Sequence, residues 1–257
     1  YAKYLTSAKY ADECFGMVIE ALKKTNHYED TIILFTTDHG VAMPFNKCTL
    51  SDKGTGVSLL MRVPNSIKSG ISTDMLLSQI DIYPTLCELM HLEKPDYLEG
   101  KSFAKLFTEG CEESDEEVFT EINFHTSYEP ARSIRTERYK YIKYYDEYLN
   151  INFSNLDSSE VKDFYMQNGL TEFKKEKEAL YDLYYDPDEQ NNLIENEHYQ
   201  DIVEDLRKRL ACFQKRTNDP LLNGEIPILS NYKVNKKDCI DASSKNPDDY
   251  EERGRFY

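Results

Sequence analysis

Thr31, Ile32, Ile33, Leu34 and Phe35 form a continuous apolar run that stops at Thr36, Thr37, Asp38, His39 and Gly40. An unbroken apolar run of this length predicts a strand buried on both faces, the kind found inside a parallel α/β sheet. A second mostly apolar stretch, Val57, Leu59, Leu60, Met61 and Val63 ahead of Pro64, predicts another strand. Upstream, Ala11, Cys14, Phe15, Val18, Ile19 and Leu22 recur at helical spacing. Downstream, Leu86 and Leu89 to Met90 give the apolar face of a helix that Asp81 can N-cap, with Pro84 in its first turn.

The pattern changes beyond an acidic, glycine-containing connector at Thr108 to Glu117. Short tyrosine-rich strands follow at Val118 to Phe124, Ala131 to Thr136, Tyr139 to Lys143 and Ala179 to Tyr184, and predict a small antiparallel sheet. Val203, Leu206, Leu210 and Phe213 line one face of a helix over about Glu197 to Thr217. Asn150 to Glu178 is polar and poorly periodic and reads as a long insertion with partial helix. The tail after Leu222 is polar and reads as a surface wrap. Two parts result: residues 1–107, the second half of a mostly parallel α/β sheet flanked by helices, and residues 108–257, a small α+β domain with a packed helix and a polar tail. No internal repeat is present.

Chemistry enters where the first strand ends. Ligands of α/β sheets bind just beyond the carboxyl ends of the strands, and Asp38 and His39 stand there. A carboxylate beside an imidazole makes a plausible half of a metal site. Turn chemistry alone also places Asp and Gly at such a bend, and Gly40 lets the backbone turn away.

The residues downstream of Gly40 weigh toward the metal. The order strand, D-H-G, short loop, K-x-T-L-x-D-x-G from Lys47 to Gly54, strand, Pro64 resembles the C-terminal half of the sulfatase family, within the alkaline-phosphatase superfamily. The resemblance implies that Asp38 and His39 ligate a divalent metal, usually calcium, and that Lys47 contacts the sulfate. The family commonly has an aromatic residue where Ser51 stands, a departure at the pocket wall. Further matches are L-S-Q-I-D-I-Y-P-T-L-C-E-L at Leu77 to Leu89, like the family's D-x-x-P-T-L helix start, and L-Y-D-L-Y-Y-D-P-D-E-Q-N-N-L at Leu180 to Leu193, which resembles a family signature of structural character. Glu121 to Ile142, with His125 and then Y-E-P-A-R, is similar to the heparan N-sulfatase (sulfamidase) branch, as is the tail from Leu210 to Leu221.

Sulfatases use a formylglycine made from Cys or Ser in a C/S-x-P/A-x-R motif. None of Cys14, Cys48, Cys87, Cys111, Cys212 and Cys239 begins that motif, nor does any serine, and the family's first aspartate pair is also missing. The chain therefore reads as the C-terminal half of a sulfatase whose nucleophile lies on upstream sequence.

Discrimination between sugars must come from outside the sulfate grip. The segment Phe124 to Arg132 suits that task, because loops on rigid scaffolds carry specificity. His125 can donate to or accept from a sugar hydroxyl or leaving nitrogen, Arg132 can pair bidentately with a carboxylate or second sulfate, and Pro130 stiffens the segment. The competing readings are a histidine packed in the small domain and an arginine paired with a local carboxylate. Arg132, Arg135, Arg138, Lys140 and Lys143 form the only dense basic stretch, either a solvated strand face or a substrate contact. His27, His91 and His198 read as surface or packing residues.

Charge and cysteines bound the rest. Thirty-one Lys and Arg against 47 Asp and Glu leave a net charge of -16, which argues against nucleic-acid binding and sets a polyanionic substrate against an adverse global field. The cysteine spacings show no disulfide framework and fit reduced thiols in a cytoplasmic protein. A signal peptide, if there is one, lies ahead of this sequence. No run approaches membrane-span length, and no oligomeric state is assigned. The expected activity is hydrolysis of sulfate esters or N-sulfates on sugars derived from glycosaminoglycans. A phosphodiesterase or phosphonate hydrolase of the same superfamily is the alternative enzyme, and a catalytically dead binding or structural fragment is the non-enzymatic one.

Overall fold

The computed structural model describes residues 2–229, 232–251 and 255–256. In chain order the elements are α1 (Ala2–Lys24), β1 (Ile33–Thr36), α2 (Asp52–Thr55), β2 (Leu59–Arg62), α3 (Ile82–Leu89), α4 (Lys105–Thr108), β3 (Glu117–Phe124), β4 (Tyr128–Thr136), β5 (Tyr139–Tyr144), α5 (Glu160–Gln167), β6 (Glu178–Asp182), α6 (Gln200–Arg216), β7 (Ile228–Leu229) and β8 (Arg255–Phe256). They group into two compact units: Tyr1–Thr36 with Ser58–Glu113, and Thr37–Val57 with Ser114–Tyr257. The loop between β1 and β2, which carries the D-H-G and Lys47 motifs, belongs to the second unit.

In the first unit, β1 and β2 pair antiparallel, with Ile33 opposite Arg62 and Thr36 opposite Leu59. The expected mostly parallel sheet is not seen: among the described residues this unit holds a two-stranded antiparallel ribbon. Its strands are half-buried rather than covered on both faces, because a two-stranded ribbon has no flanking strand on either side. The helix predicted around Cys14 and Leu22 forms as α1, and Phe15 meets Phe35 at 5.4 Å between ring centroids. Asp81 starts α3 but does not cap it with its side chain. That carboxylate instead accepts from the backbone of Ser78 and of Lys101, and Thr85 Oγ1 donates to the Asp81 carbonyl.

The second unit is built on an antiparallel sheet in the order β3-β4-β5-β6. All four strands are legible from alternation. Successive side chains along a strand point to opposite faces, and the two faces receive different partners. Ile134, Tyr141 and Leu180 lie in register across β4, β5 and β6 and are buried against Val203, Leu206 and Leu210 of α6. Phe213 of α6 stacks on Phe119 at 3.9 Å. The opposite face carries Ala131, Ile142 and Ala179, which bury Leu50 from the Lys47 loop.

The polar tail is more than a surface wrap. Ile228 and Val234 are buried against Tyr128, Ile226 N–H donates to Tyr128 Oη at 3.0 Å, and Asn235 N–H donates to the Thr126 carbonyl at 2.7 Å. Residues 230, 231, 252–254 and 257 of that tail lie outside the described residues.

Alternation also decides the fate of Arg132. It shares the parity of Ile134, so its side chain falls on the α6 face. There it is 1% exposed and bidentate to Asp219, with Nε–Oδ2 2.7 Å and Nη2–Oδ1 2.9 Å. Gln214 Nε2 donates to the same carboxylate at 2.9 Å. Burial alone would raise the Asp219 carboxyl, but Arg132, Gln214 and the Leu221 N–H together hold it below its usual range. Removing one partner of a buried pair leaves an uncompensated charge. Asp219→Ala is therefore expected to lower stability by about 3–5 kcal/mol, read by chemical denaturation. A depressed carboxylate contributes stability above the unfolded-state value that is lost as pH falls through the folded one. The variant should accordingly flatten the acid limb of the stability curve below pH 3.8. A wild-type acid limb in the variant would remove this pair from the stability account.

Candidate active site

The loop from Thr37 to Val57 folds back on itself, and that closure builds the site. Gly40 N–H donates to the Gly54 carbonyl at 2.9 Å, and Lys47 N–H to the Val41 carbonyl at 3.2 Å. Gly40 is required for a close approach rather than for a turn: a Cβ there would lie 1.7 Å from the Lys53 carbonyl oxygen. Thr49 Oγ1 bonds the Asn46 carbonyl at 2.7 Å and Ser51 Oγ at 2.8 Å, tightening the turn after Lys47. Phe45 and Cys48, on either side of Lys47, take positive φ values of 66° and 64°. Non-glycine residues rarely adopt that conformation, and it tends to mark functional turns.

Asp38 and His39 lie together at the mouth of this loop. His39 Nδ1 is 2.7 Å from the Gly40 carbonyl, which fits a proton on that nitrogen and a lone pair on Nε2. Nε2 then sits 3.5 Å from Asp38 Oδ2. Two acceptors at that separation suit a shared cation, and a carboxylate with an imidazole is a reasonable donor pair for one. No third His, Cys, Asp or Glu joins them among the described residues. The pair thus offers two donors, and a complete coordination shell needs more.

Lys47 is mostly buried, and its charge and that of His39 both act on His125. Hydrogen bonds tie the segments of Lys47 and His125 together in the second unit: Lys47 pairs with Asp157, and Asn155, two residues before it, bonds Thr126 and Ser127 beside His125. Arg132 does not join them. Its place on the opposite sheet face removes it from substrate contact, and the sequence assignment of Arg132 to the sugar is corrected accordingly.

Three residues that sequence reasoning passed over complete the site. Lys47 Nζ is paired with Asp157, 3.0 Å from Oδ2 and 3.3 Å from Oδ1. Asn155, 3% exposed, ties the two loops together: its Oδ1 accepts from Thr126 N–H and Ser127 N–H, each at 3.0 Å, and its Nδ2 donates to Glu129. Lys162, also buried, donates to the carbonyls of Phe153, Leu156 and Ile240 and pins the insertion to the tail. The insertion read as polar and aperiodic is thus a stapled platform. Asp157 lies 110 residues from Lys47, so no local spacing could have linked them.

Beneath the loop is a buried ionic cluster. Lys140, 1% exposed, donates to the Leu50 carbonyl at 3.1 Å, to Asp52 and to Glu189 at 3.2 Å. Arg135 Nε also reaches Asp52 at 3.2 Å, and Asp52 N–H donates to Glu189 at 2.5 Å. Burial works against charge on Asp52, but Lys140 and Arg135 hold its carboxyl low, whereas burial prevails at Glu189 and raises it. Within the basic stretch Arg132 and Lys140 are buried, Arg135 is half-buried and Arg138 is exposed, and all four pair with carboxylates of the same unit.

This site loop falls within a segment shared with known proteins. Residues 38–179 match the family described as N-sulphoglucosamine sulphohydrolase, C-terminal. The chain belongs to the sulfatase family. An ulvan-active sulfatase of Formosa agariphila is 32% identical over 81% of this chain and 43% of its own length. The human N-sulphoglucosamine sulphohydrolase is 25% identical over 85% of this chain and 48% of its own. The solved structure of BT1596, a 2-O GAG sulfatase, superposes with a TM-score of 0.63 at 25% identity, covering 80% of this chain and 41% of that one. This sulfatase chain thus spans less than half the length of each of these three relatives. The match begins at Asp38 and takes in the site loop, His125 and Asp157.

The neighbours of His125 in this sulfatase site can be read by titration. Burial first, then the Lys47 charge and the weaker push of His39, lower the His125 pKa below 6.5, while Asp157 opposes them. In an NMR titration of the histidine ring, Lys47→Met should move His125 up toward its ordinary value and Asp157→Asn should move it further down. Shifts in the reverse order would show that these side chains are not neighbours. Lys140→Met strips the buried Glu189 of its cation, leaves Asp52 with Arg135 alone, and should cost about 3–5 kcal/mol in chemical denaturation. A change within ~0.5 kcal/mol, the range of ordinary surface substitutions, would mean that the cluster does not anchor the loop.

Proposed function

We propose that this chain is the C-terminal portion of a longer sulfatase that hydrolyses sulfate esters or N-sulfates of sugars, glycosaminoglycan-derived saccharides foremost. The grouping of His39, Lys47 and His125 in one unit, inside the segment that matches the family, carries this reading. Lys47 serves as a compact positive charge for the sulfate. Held in place before substrate arrives, its ammonium stabilises the charge that builds on the departing group with little reorganisation. His125, held neutral near physiological pH by its surroundings, is suited to hydrogen-bond the sugar or the leaving atom.

Family membership implies a divalent metal and a formylglycine. We take the metal to be Ca2+, with Asp38 and His39 as its ligands from this chain. Such an ion would draw the non-bridging oxygens of the sulfate and offset their charge. Formylglycine, borne by sequence outside this chain, would supply the nucleophile. The ulvan-active, glucosamine-directed and glycosaminoglycan-directed names among the relatives support a sulfated sugar as substrate. Among the described residues no helix is long and apolar enough to cross a membrane.

The test uses the complete enzyme on a sulfated oligosaccharide and on a phosphonate monoester. Sulfate release is expected, with Lys47→Ala reducing turnover by ~10²-fold or more, the scale of losing one transition-state charge partner. Faster cleavage of the phosphonate would transfer the chain to phosphoryl chemistry. No turnover of either substrate by metal-loaded, formylglycine-bearing enzyme would make it a binding domain.

A further inference from the structure

The ammonium assigned to the sulfate is already occupied by a carboxylate of the same chain. Both oxygens of Asp157 lie within 3.3 Å of Lys47 Nζ. The Lys47 side chain is 20% exposed and that of Asp157 44%. Lys47 therefore faces its partner in partial shelter, while Asp157 has open solvent on its other side.

The backbone around Asp157 is fixed. Leu156 is buried, its N–H donates to the Phe153 carbonyl, and its own carbonyl accepts from Lys162 Nζ. Just ahead, Asn155 is tied to the His125 loop. Just beyond, Ser159 caps α5, its hydroxyl accepting from Lys162 N–H at 3.1 Å. The main chain is thus pinned on both sides, and the side chain can swing about its two dihedrals without moving it.

A sulfate at Lys47 and a carboxylate at Lys47 are both anions. They cannot share one ammonium in a partly dry pocket without repulsion, so the sulfate must turn Asp157 away. A displaced carboxylate is an acceptor only and needs donors. The hydroxyl groups of the sugar that carries the sulfate are the donors a bound substrate brings. Free sulfate brings none, and neither does an aryl sulfate.

Resting on the sulfatase reading above, we propose that Asp157 is a specificity residue. It neutralises Lys47 in the empty site, yields to the sulfate, and then accepts a hydrogen bond from a hydroxyl of the same sugar. The pair thereby disfavours sulfate that arrives alone, which includes the sulfate product, and favours sulfate presented on a sugar.

The experiment compares wild type, Asp157→Asn and Asp157→Ala in the complete, metal-loaded enzyme. The readouts are inhibition by inorganic sulfate and kcat/KM on an aryl sulfate and on a sulfated sugar. For both variants, sulfate inhibition should tighten several-fold and kcat/KM on the aryl sulfate should rise. On the sulfated sugar kcat/KM should fall by roughly ten- to a hundredfold, the scale of one hydrogen bond to a charged group. Equal losses on both substrates, or unchanged sulfate inhibition, would overturn the proposal and leave Asp157 a scaffold residue. A wild type inactive on both substrates would instead overturn the sulfatase reading. A measurement on the wild type guards against variants that fail to fold: a crystal structure with inorganic sulfate on Lys47 should show the Lys47–Asp157 pair open. Sulfate bound there with the pair intact would also overturn it.

Discussion

A single buried ammonium, that of Lys140, organises the second unit. It rises from β5 on the face turned away from α6 and is gripped by the Leu50 carbonyl, Asp52 and Glu189. Leu50 and Asp52 belong to the loop that carries Lys47, and Glu189 belongs to the turn after β6. One charge therefore joins the site loop, the sheet and the distal turn. Its position is costly in isolation, because a buried ion loses its hydration. Two carboxylates and a carbonyl offset that loss, and Leu50 adds apolar burial beside them against Ala131, Ile142 and Ala179. With Leu50 and Asp52 held, the Gly40–Gly54 hydrogen bond closes the loop, and Lys47 is carried back toward His39.

The sheet thus separates two tasks between its faces. One face packs α6 through aliphatic and aromatic side chains and locks Arg132 to Asp219. The other face receives the functional loop through charge. This division explains why neighbouring basic residues of β4 behave so differently. Arg132 and Arg135 lie three residues apart, which places them on opposite faces of a strand with period two. One braces the helix end, and the other braces Asp52 beneath the site.

The insertion contributes order of another kind. Asn155 and Lys162 satisfy backbone groups from three separate segments. Through them the loop carrying His125, the stretch carrying Asp157 and the C-terminal tail become one rigid rim. The site is therefore assembled from a closed loop seated on a sheet and a rim stapled by polar side chains. Its charges of opposite sign lie near one another before any ligand arrives.

Local pattern determined the elements. The four strands of the second unit, the α6 face and the helix at α1 follow from periodicities that any short window displays, because strand and helix fix which side chains share a face. The D-H-G and K-x-T-L-x-D-x-G segments, with the sulfatase likeness they carry, were equally legible, since each is contiguous. Pairing across the chain was not. The apolar run at β1 reads the same whether its partner is parallel and buried or antiparallel and half-covered, and only the tertiary structure chose the second. Asp157 meets Lys47 across 110 residues and Arg132 meets Asp219 across 87, and nothing in the local sequence of either partner marks the other. An arginine in a basic stretch looks alike on either face of a strand. Which face meets a carboxylate, and which meets the site, is set by what packs there, and that is decided only when the whole unit has folded.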